Sequence, residues 1–275
     1  MVIQYDINDI RPYISWVYFF HGWSMNGKDS AERDRLRADA EAMLDSWQGC
    51  YHTHGVFELF DANGDGDDIV LTDGRRLPML RQQRPLERLS EHPKPSVCLA
   101  DFLRPKSSGI ADRVGAFATT IDGDIEREYD DDVYRHMLAL TLAERLAEAT
   151  AEYMHKDIRR QYWGYAKDEQ VTIDDMLNAH YQGIRPAVGY PSIPDMSINF
   201  LLNDLIDMSR IGIRLTESGM MHPKASVSGL IFAHPKAYYF GIGKIGEDQL
   251  RDYARRRGLP LTLMRRFLQT SLANG

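Results

Sequence analysis

The residues best arranged to bind a ligand lie between positions 181 and 194, in the segment YQGIRPAVGYPSIP, which we call the Arg185 loop. Its three prolines fix backbone dihedrals and its two glycines permit dihedrals that other residues avoid, so we expect an ordered loop. Arg185 is its only charged residue, with Tyr181 and Tyr190 on either side. A guanidinium held in one direction suits a small ligand with a carboxylate and a flat or cationic group. Composition alone also allows a rigid surface turn with an incidental Arg.

The other motifs that could do chemistry are weak. His52 and His54 alternate without a third ligand nearby, and the sequence has no HExxH, GxGxxG, GxSxG or phosphate-binding loop. The segment DANGDGDD imitates a calcium loop, but the twelfth place holds Thr72 where a bidentate Glu is required. The acidic run at 130–132 is typical of a helix N-terminus. We therefore expect neither a metal site nor a catalytic residue, and a protein that presents a ligand to chemistry located elsewhere.

The composition is that of an ordinary globular protein. Of the 275 residues, 43% are hydrophobic and 27% are charged, and the net charge of −7 argues against a general nucleic-acid binder. Cys50 and Cys98 form no CxxC pair, which fits a reducing compartment. The first residues lack the pattern of a secretory signal, and no apolar stretch approaches the ~20 residues that cross a bilayer. We expect a cytoplasmic protein with no membrane partner.

Hydrophobic periodicity predicts the elements that must position the Arg185 loop. The aromatic run at 14–23 favours core packing, and DANGDGDD is predicted as the turn of a hairpin. The predicted helices are 29–47, 80–91, 130–165, 172–181, 198–208, 247–257 and 261–268. The predicted strands are 2–5, 56–60, 69–71, 114–121, 211–215, 226–233 and 238–242. Strands, one long helix, and then further strands and helices predict an α+β unit spanning residues 1–275.

Five blocks of sequence resemble the C-terminal reactivation domain of cobalamin-dependent methionine synthase. They are SVCLADFLRPKSSG with VGAFATT, LAERLAEATAEYMHKDIRRQYWGYA, YQGIRPAVGYPSIP, LTESGMMHPKASVSGLIFAHP and YYFGIGKIGEDQLRDYARRRG. The matches follow the order of that family and span roughly residues 14–258. The resemblance implies a C-shaped single domain with a central twisted antiparallel sheet and flanking helices.

The resemblance also implies a ligand, S-adenosylmethionine, and a place for it. Arg185 would hold the ligand's carboxylate, and Tyr190 would lie near the sulfonium methyl. The residues implied beside them are Ala187 and Val188, through their backbone at the adenine, and Tyr239 and Phe240, in a second binding stretch. Holding a methyl donor near cobalt is positional work, and the hard chemistry belongs to the cobalamin.

Two departures from the family pattern bear on affinity. Ser15, in ISWVYFF, stands where the family usually has an acidic residue that contacts the ligand's amino group. A Ser still accepts a hydrogen bond from an ammonium but forgoes the ion pair, at a cost of ~1–3 kcal/mol. Residues 195–199 read DMSIN where the family has EHTEK. A docking module that has lost tight ligand binding is therefore a second hypothesis.

The expected partners follow from the same resemblance. Homocysteine, folate and cobalamin modules do not fit in 275 residues, so we expect an activation subunit that meets a cobalamin-carrying methionine synthase core in trans. The electron donor would be a flavodoxin or a similar one-electron reductant. Arg255–Arg257 with Arg265 and Arg266 form a candidate basic face for such a partner, or simply a helix end that favours cations. Service to another corrinoid methyltransferase is a third hypothesis.

Overall fold

A curled antiparallel sheet forms the centre of the structure, a computed structural model that describes residues 1–25, 27, 29–83 and 96–273. The strands among these residues are β1 (Val2–Asp6), β2 (His52–Asp65), β3 (Asp68–Leu71), β4 (Arg76–Pro78), β5 (Asp112–Ile121), β6 (Arg214–Leu215), β7 (Met221–His222) and β8 (Ser226–Ile231). The helices are α1 (Ile7–Ile10), α2 (Trp16–Gly22), α3 (Ser30–Trp47), α4 (Val133–Asp157), α5 (Ile173–Leu177), α6 (Ile198–Ile206), α7 (Glu247–Arg257) and α8 (Leu261–Phe267). The α+β class predicted from the sequence is confirmed.

Strand β2 organises the sheet because it is long enough to serve three neighbours. The described strands are ordered β4-β3-β2-β5-β8, and β1 pairs with the first half of β2. The second half of β2 pairs with β3, while β5 runs antiparallel along ten of its residues on the other side. Strand β8 then pairs with β5 and forms the edge that faces the Arg185 loop.

Strand β5 is buried on both faces, which explains its nearly continuous apolar sequence. Phe117 and Ile121 belong to a core shared with α2, α3 and α4. Val114, Ala116 and Ala118 point to the opposite core, which includes residues of α6, α7 and α8. The sheet therefore separates two hydrophobic cores, and a helix lies against each of its faces.

Helix α4 is the largest element on the first face. The Thr119 hydroxyl of β5 donates to the Ala147 carbonyl at 2.9 Å, which fixes the helix against the sheet. Val133 and Met137 lie on an apolar stripe at helical spacing, but both residues are more than half exposed. Buried residues begin at Leu138 instead. Helical spacing alone does not decide which of two neighbouring apolar stripes faces the core.

Most predicted helices are confirmed, and capping residues stabilise several of them. Asp29 caps α3 by accepting from the Ala31 amide, and Thr172 forms a reciprocal capping box with Asp175 at α5. Gly258 ends α7 in the left-handed conformation at φ +64°. The helix predicted at 130–165 is shorter in the structure. Helix α4 ends at Asp157, and one π-helical turn, Ile158–Tyr162, follows it.

Several predictions of local structure differ from what is observed. The strand predicted at 211–215 is reduced to Arg214–Leu215, because a 3-10 turn at Met208–Ile211 ends at Gly212 in the left-handed conformation. The hairpin turn is limited to residues 66–67, because 61–65 continue β2 as a paired strand. Residues 80–83 of the predicted helix at 80–91 are not helical, and Arg81 is bridged to Cys98. The rest of that prediction lies outside the described residues. Residues 238–242 form no strand, because side chains bond their carbonyls: Ser192 to Phe240 and Gln82 to Gly241.

The Arg185 loop extends the sheet along the free edge of β8. The amides and carbonyls of Ile184 and Phe232 exchange two hydrogen bonds of 2.9 Å. Farther along, the Leu230 amide donates to the Pro186 carbonyl at 3.1 Å. A Cβ atom on Gly229 would lie 2.2 Å from that carbonyl oxygen. Glycine at this position therefore allows the loop to approach the sheet closely.

We predict that Gly229→Ala lowers the free energy of unfolding by about 1–3 kcal/mol, because two backbone segments must separate to admit the methyl group. Urea denaturation followed by circular dichroism measures the change. Gly22→Ala is the matched control, since its new Cβ would meet Thr141 Cγ2 at an ordinary 3.8 Å. Equal stability of the two variants would contradict the close approach.

Candidate functional site

A cleft with two lobes opens between the Arg185 loop and helix α4. The larger lobe, about 630 Å³, lies between the loop and residues 239–241. The smaller lobe, about 210 Å³, reaches toward residues 13–18. Six residues line both lobes: Tyr18, Glu148, Glu152, Leu177, Arg185 and Tyr190. Because these residues are shared, the lobes form one continuous cleft.

A buried ion pair lies where the two lobes meet. The Nη2 atom of Arg185 donates to Oε2 of Glu152, and both side chains are largely buried. Burial alone would lower the pKa of Arg185, but the adjacent Glu152 carboxylate outweighs it and keeps that pKa well above its usual value. The Arg185 amide also donates to the Tyr239 hydroxyl at 3.0 Å. The guanidinium is therefore a permanent positive charge in a fixed position.

Tyr190 lies at the mouth of the cleft with half of its surface exposed. Its hydroxyl donates to Oε1 of Glu148 at 2.5 Å. Partial burial, and then the nearby Glu148 carboxylate, raise the pKa of Tyr190, so the phenol stays protonated. Glu148 and Glu152 are four residues apart on α4, which places both carboxylates on one face of the helix.

The structure brings together most of the site residues implied by the sequence. The larger lobe is lined by Arg185, Ala187, Tyr190, Tyr239 and Phe240. Ser15 lines the smaller lobe together with Arg185 and Tyr190.

Val188 is the exception among the expected site residues. Its side chain is buried and it lines neither lobe. Its amide donates to the Ser228 carbonyl at 2.9 Å and is not free to bind adenine.

Sequence reasoning missed the acidic wall of the cleft. Glu148 and Glu152 lie in the run LAEATAEYM, where the expected role of a charged residue on a long helix is exposure to solvent. Glu152 is instead buried among alanines on the side of α4 that faces the loop. The available signal was the run of alanines and leucines around Glu152, which is typical of a helix buried on more than one side, where a charged residue needs a partner.

The departure at residues 195–199 has a structural role. Buried Asp195 accepts hydrogen bonds from Arg257 at 2.7 Å and from the Tyr253 hydroxyl at 2.8 Å. Asn199 bonds the Gly219 carbonyl at 2.8 Å and accepts from Ser228. Residues 195–199 line neither lobe. Of the two departures, the one at Ser15 is therefore the one that lies in the cleft.

The arginines expected to form a basic face are largely neutralised. Arg257 is buried against Asp195, and Arg256 pairs with Asp68 and Asp252. Arg255 bonds Asp252, and Arg265 bonds Glu247. Arg256 and Arg257 thus anchor α7 through Asp68 and Asp195, and Arg265 joins α8 to α7 through Glu247.

A second layer of charged and aromatic groups supports the cleft. The Arg159 guanidinium lies 4.0 Å from the centre of the Tyr181 ring, and its Nε donates to Glu169 at 3.0 Å. His155 packs edge-on against the same ring and shares a hydrogen bond of 3.0 Å with the Tyr165 hydroxyl. Tyr181 therefore positions the start of the Arg185 loop against α4.

Comparison with known proteins decides the family. A family model described as "Vitamin B12 dependent methionine synthase, activation domain" matches residues 6–258. The chain belongs to this family. The crystal structure of the MetH reactivation domain bound to AdoHcy is similar to 100% of this chain and 91% of its own, with 37% identity and a TM-score of 0.90. The resemblance found in the sequence, and the fold that it implied, are confirmed.

Two further observations concern classes of site outside the cleft. Within the described ranges, no three His, Cys, Asp or Glu side chains are grouped so that they could hold a metal ion. The helices described there include none that is long and apolar enough to cross a membrane.

Buried His155 makes the stability depend on pH. Burial first, and then Arg159 and Arg185, lower its pKa well below 6.5, so the folded state keeps the imidazole neutral where the unfolded state binds a proton. This contribution is fully present above about pH 6.5 and is lost as the pH falls, by up to about 1.4 kcal/mol per pH unit.

We predict that His155→Gln flattens the pH dependence of the free energy of unfolding between pH 6.5 and 5. Urea denaturation at pH 7, 6 and 5 compares the slopes of the variant and the original chain. His180→Gln serves as the control, because the His180 side chain is mostly exposed. Parallel slopes for His155→Gln and the original chain would show that His155 is protonated equally in both states.

Proposed function

We propose that this chain binds S-adenosylmethionine in the cleft and supports the reductive methylation of cob(II)alamin carried by a separate methionine synthase core. The observation that carries the proposal is the Arg185–Glu152 pair at the junction of the lobes. The chain that carries this pair belongs to the activation-domain family. A solved relative of the chain was crystallised with AdoHcy. A fixed guanidinium beside a carboxylate complements the amino-acid end of such a ligand.

The lining of the larger lobe fits the rest of the ligand. Ala187, Tyr239 and Phe240 supply a small residue and two aromatic rings, which suit a flat base. Tyr190 at the mouth is half exposed, so a partner that covers the cleft would contact it. S-adenosylmethionine supplies an electrophilic methyl group on a sulfonium, and a one-electron donor reduces the cobalamin that accepts it. The residues of this chain bind, orient and shield the donor.

The rim of the cleft supports docking of a flat partner surface. Tyr18, Tyr190 and Tyr239 line the cleft and are 62%, 51% and 45% exposed. Exposed aromatic rings around a pocket are typical of an interaction site. We propose that this rim meets the corrinoid protein in trans. Flavodoxin or a similar reductant remains the proposed electron donor, although the paired arginines of α7 and α8 argue against that surface as its docking face.

The proposal includes a cytoplasmic location, supported by two free cysteines, of which Cys50 is exposed. Two other candidate functions remain. Ser15 in the smaller lobe favours a docking module without tight ligand binding, because a neutral side chain stands there. Service to a different corrinoid methyltransferase would use the same cleft and rim.

We predict that Arg185→Ala abolishes binding of S-adenosylmethionine, because the ligand's carboxylate loses its partner. Isothermal calorimetry up to millimolar ligand measures the affinity. Removing one member of a buried pair costs about 3–5 kcal/mol of stability, so circular dichroism must first confirm folding, and Arg185→Lys tests the loss of the bidentate fork with the charge kept. Arg266→Ala, outside the cleft, is the control. A folded original chain that fails to bind at millimolar ligand would contradict the proposed function.

We predict that the chain restores methylcobalamin when it is mixed with a methionine synthase core loaded with cob(II)alamin, a reductant and S-adenosylmethionine. The absorption spectrum of the cobalamin follows the conversion. The control omits the chain or replaces it with Arg185→Ala. Association with the core without conversion would favour the docking module over the activation subunit.

A further inference from the structure

The ion pair at the centre of the cleft leaves a buried hydrogen-bonding atom of each partner unused. Arg185 uses Nη2 and Glu152 uses Oε2, while Nε of Arg185 and Oε1 of Glu152 are buried without a hydrogen-bond partner among the described residues. Glu152 is only 5% exposed. A buried carboxylate oxygen without a donor costs free energy, since its hydration is lost and not replaced.

The side chains that carry the unused atoms lie at the junction of the two lobes. Glu152 and Arg185 line both lobes and carry opposite charges in direct contact. The carboxylate and ammonium of an α-amino acid are attached to the same carbon atom. Their partners must therefore be adjacent, as Glu152 and Arg185 are.

The other candidate acceptors in the cleft fit less well. Glu148 already accepts the Tyr190 hydroxyl, one helical turn away from Glu152. Ser15 is neutral, and its side chain does not cap α2. Glu152 is the carboxylate in contact with the guanidinium.

We propose that Glu152 accepts the ammonium group of the ligand, whose amino-acid end binds between Glu152 and Arg185. This assignment rests on the proposed function. Glu152, on helix α4, then provides the negative charge that Ser15 lacks. Selectivity for an α-amino acid over a plain carboxylate then depends on Glu152.

The test compares S-adenosylhomocysteine with its deaminated analogue, in which hydrogen replaces the amino group. Neither carries a sulfonium, so the difference in affinity isolates the ammonium. In calorimetry the original chain is expected to bind S-adenosylhomocysteine about 10- to 100-fold more tightly than the analogue. In Glu152→Gln this preference falls to about threefold or less, while the affinity for the analogue changes little.

The matched control is Glu144→Gln, which removes the same charge from α4 two turns away from Glu152 and lines neither lobe. It is expected to keep the full preference for the amino group. Ser15→Asp in the Glu152→Gln background is expected to restore part of the preference, because it returns a carboxylate to the smaller lobe. If Glu152→Gln does not fold, Glu152→Asp replaces it and is expected to show an intermediate preference.

The outcomes separate the assignment from the function on which it rests. Failure of the original chain to bind S-adenosylhomocysteine at all would overturn the proposed function. Binding without a preference for the amino group would overturn only the role of Glu152. An amino preference that survives in Glu152→Gln or is unchanged in Glu152→Asp, or that is lost in Glu148→Gln instead, would also overturn it.

Discussion

The structure depends on one buried charge pair, formed between a long helix and a loop at the edge of a sheet. Arg185 and Glu152 come from segments 33 residues apart, and their contact requires both segments to be held from behind. Thr119 fixes the helix to the sheet, and the close approach at Gly229 fixes the loop. Two charges removed from water are tolerated only where the geometry is good. Much of the surrounding fold maintains that geometry.

The cleft lies at the edge of β8, away from the two hydrophobic cores. A sheet edge presents unpaired backbone groups, and here the Arg185 loop covers them in place of a further regular strand. The loop backbone bonds this edge through Ile184, Pro186 and Val188. Arg185 and Ala187, which lie between these positions, line the cleft, and so does Pro186. The segment that attaches the loop to the sheet is thus the same segment that lines the cleft.

Sequence reasoning was sufficient where the information is local. Amphipathic spacing and capping located α3 and α7, and the prolines and glycines identified an ordered loop around Arg185. It was insufficient where a residue's role is set by a distant partner. Glu152 has the sequence signature of a solvated helical residue and becomes a site residue only through Arg185. The arginines of α7 have the signature of a basic surface and become structural through Asp68 and Asp195. Long-range pairing of charges leaves no periodic signal in one sequence.

The attachment of the loop to β8 has a consequence for dynamics. The segment that lines the cleft is also hydrogen-bonded to the edge of the sheet. Edge segments open locally at a lower free energy than the interior of a sheet, and their amides exchange with solvent through such openings. A ligand that binds only the closed edge suppresses these openings by mass action. A ligand bound in the cleft would therefore protect the edge amides from hydrogen exchange.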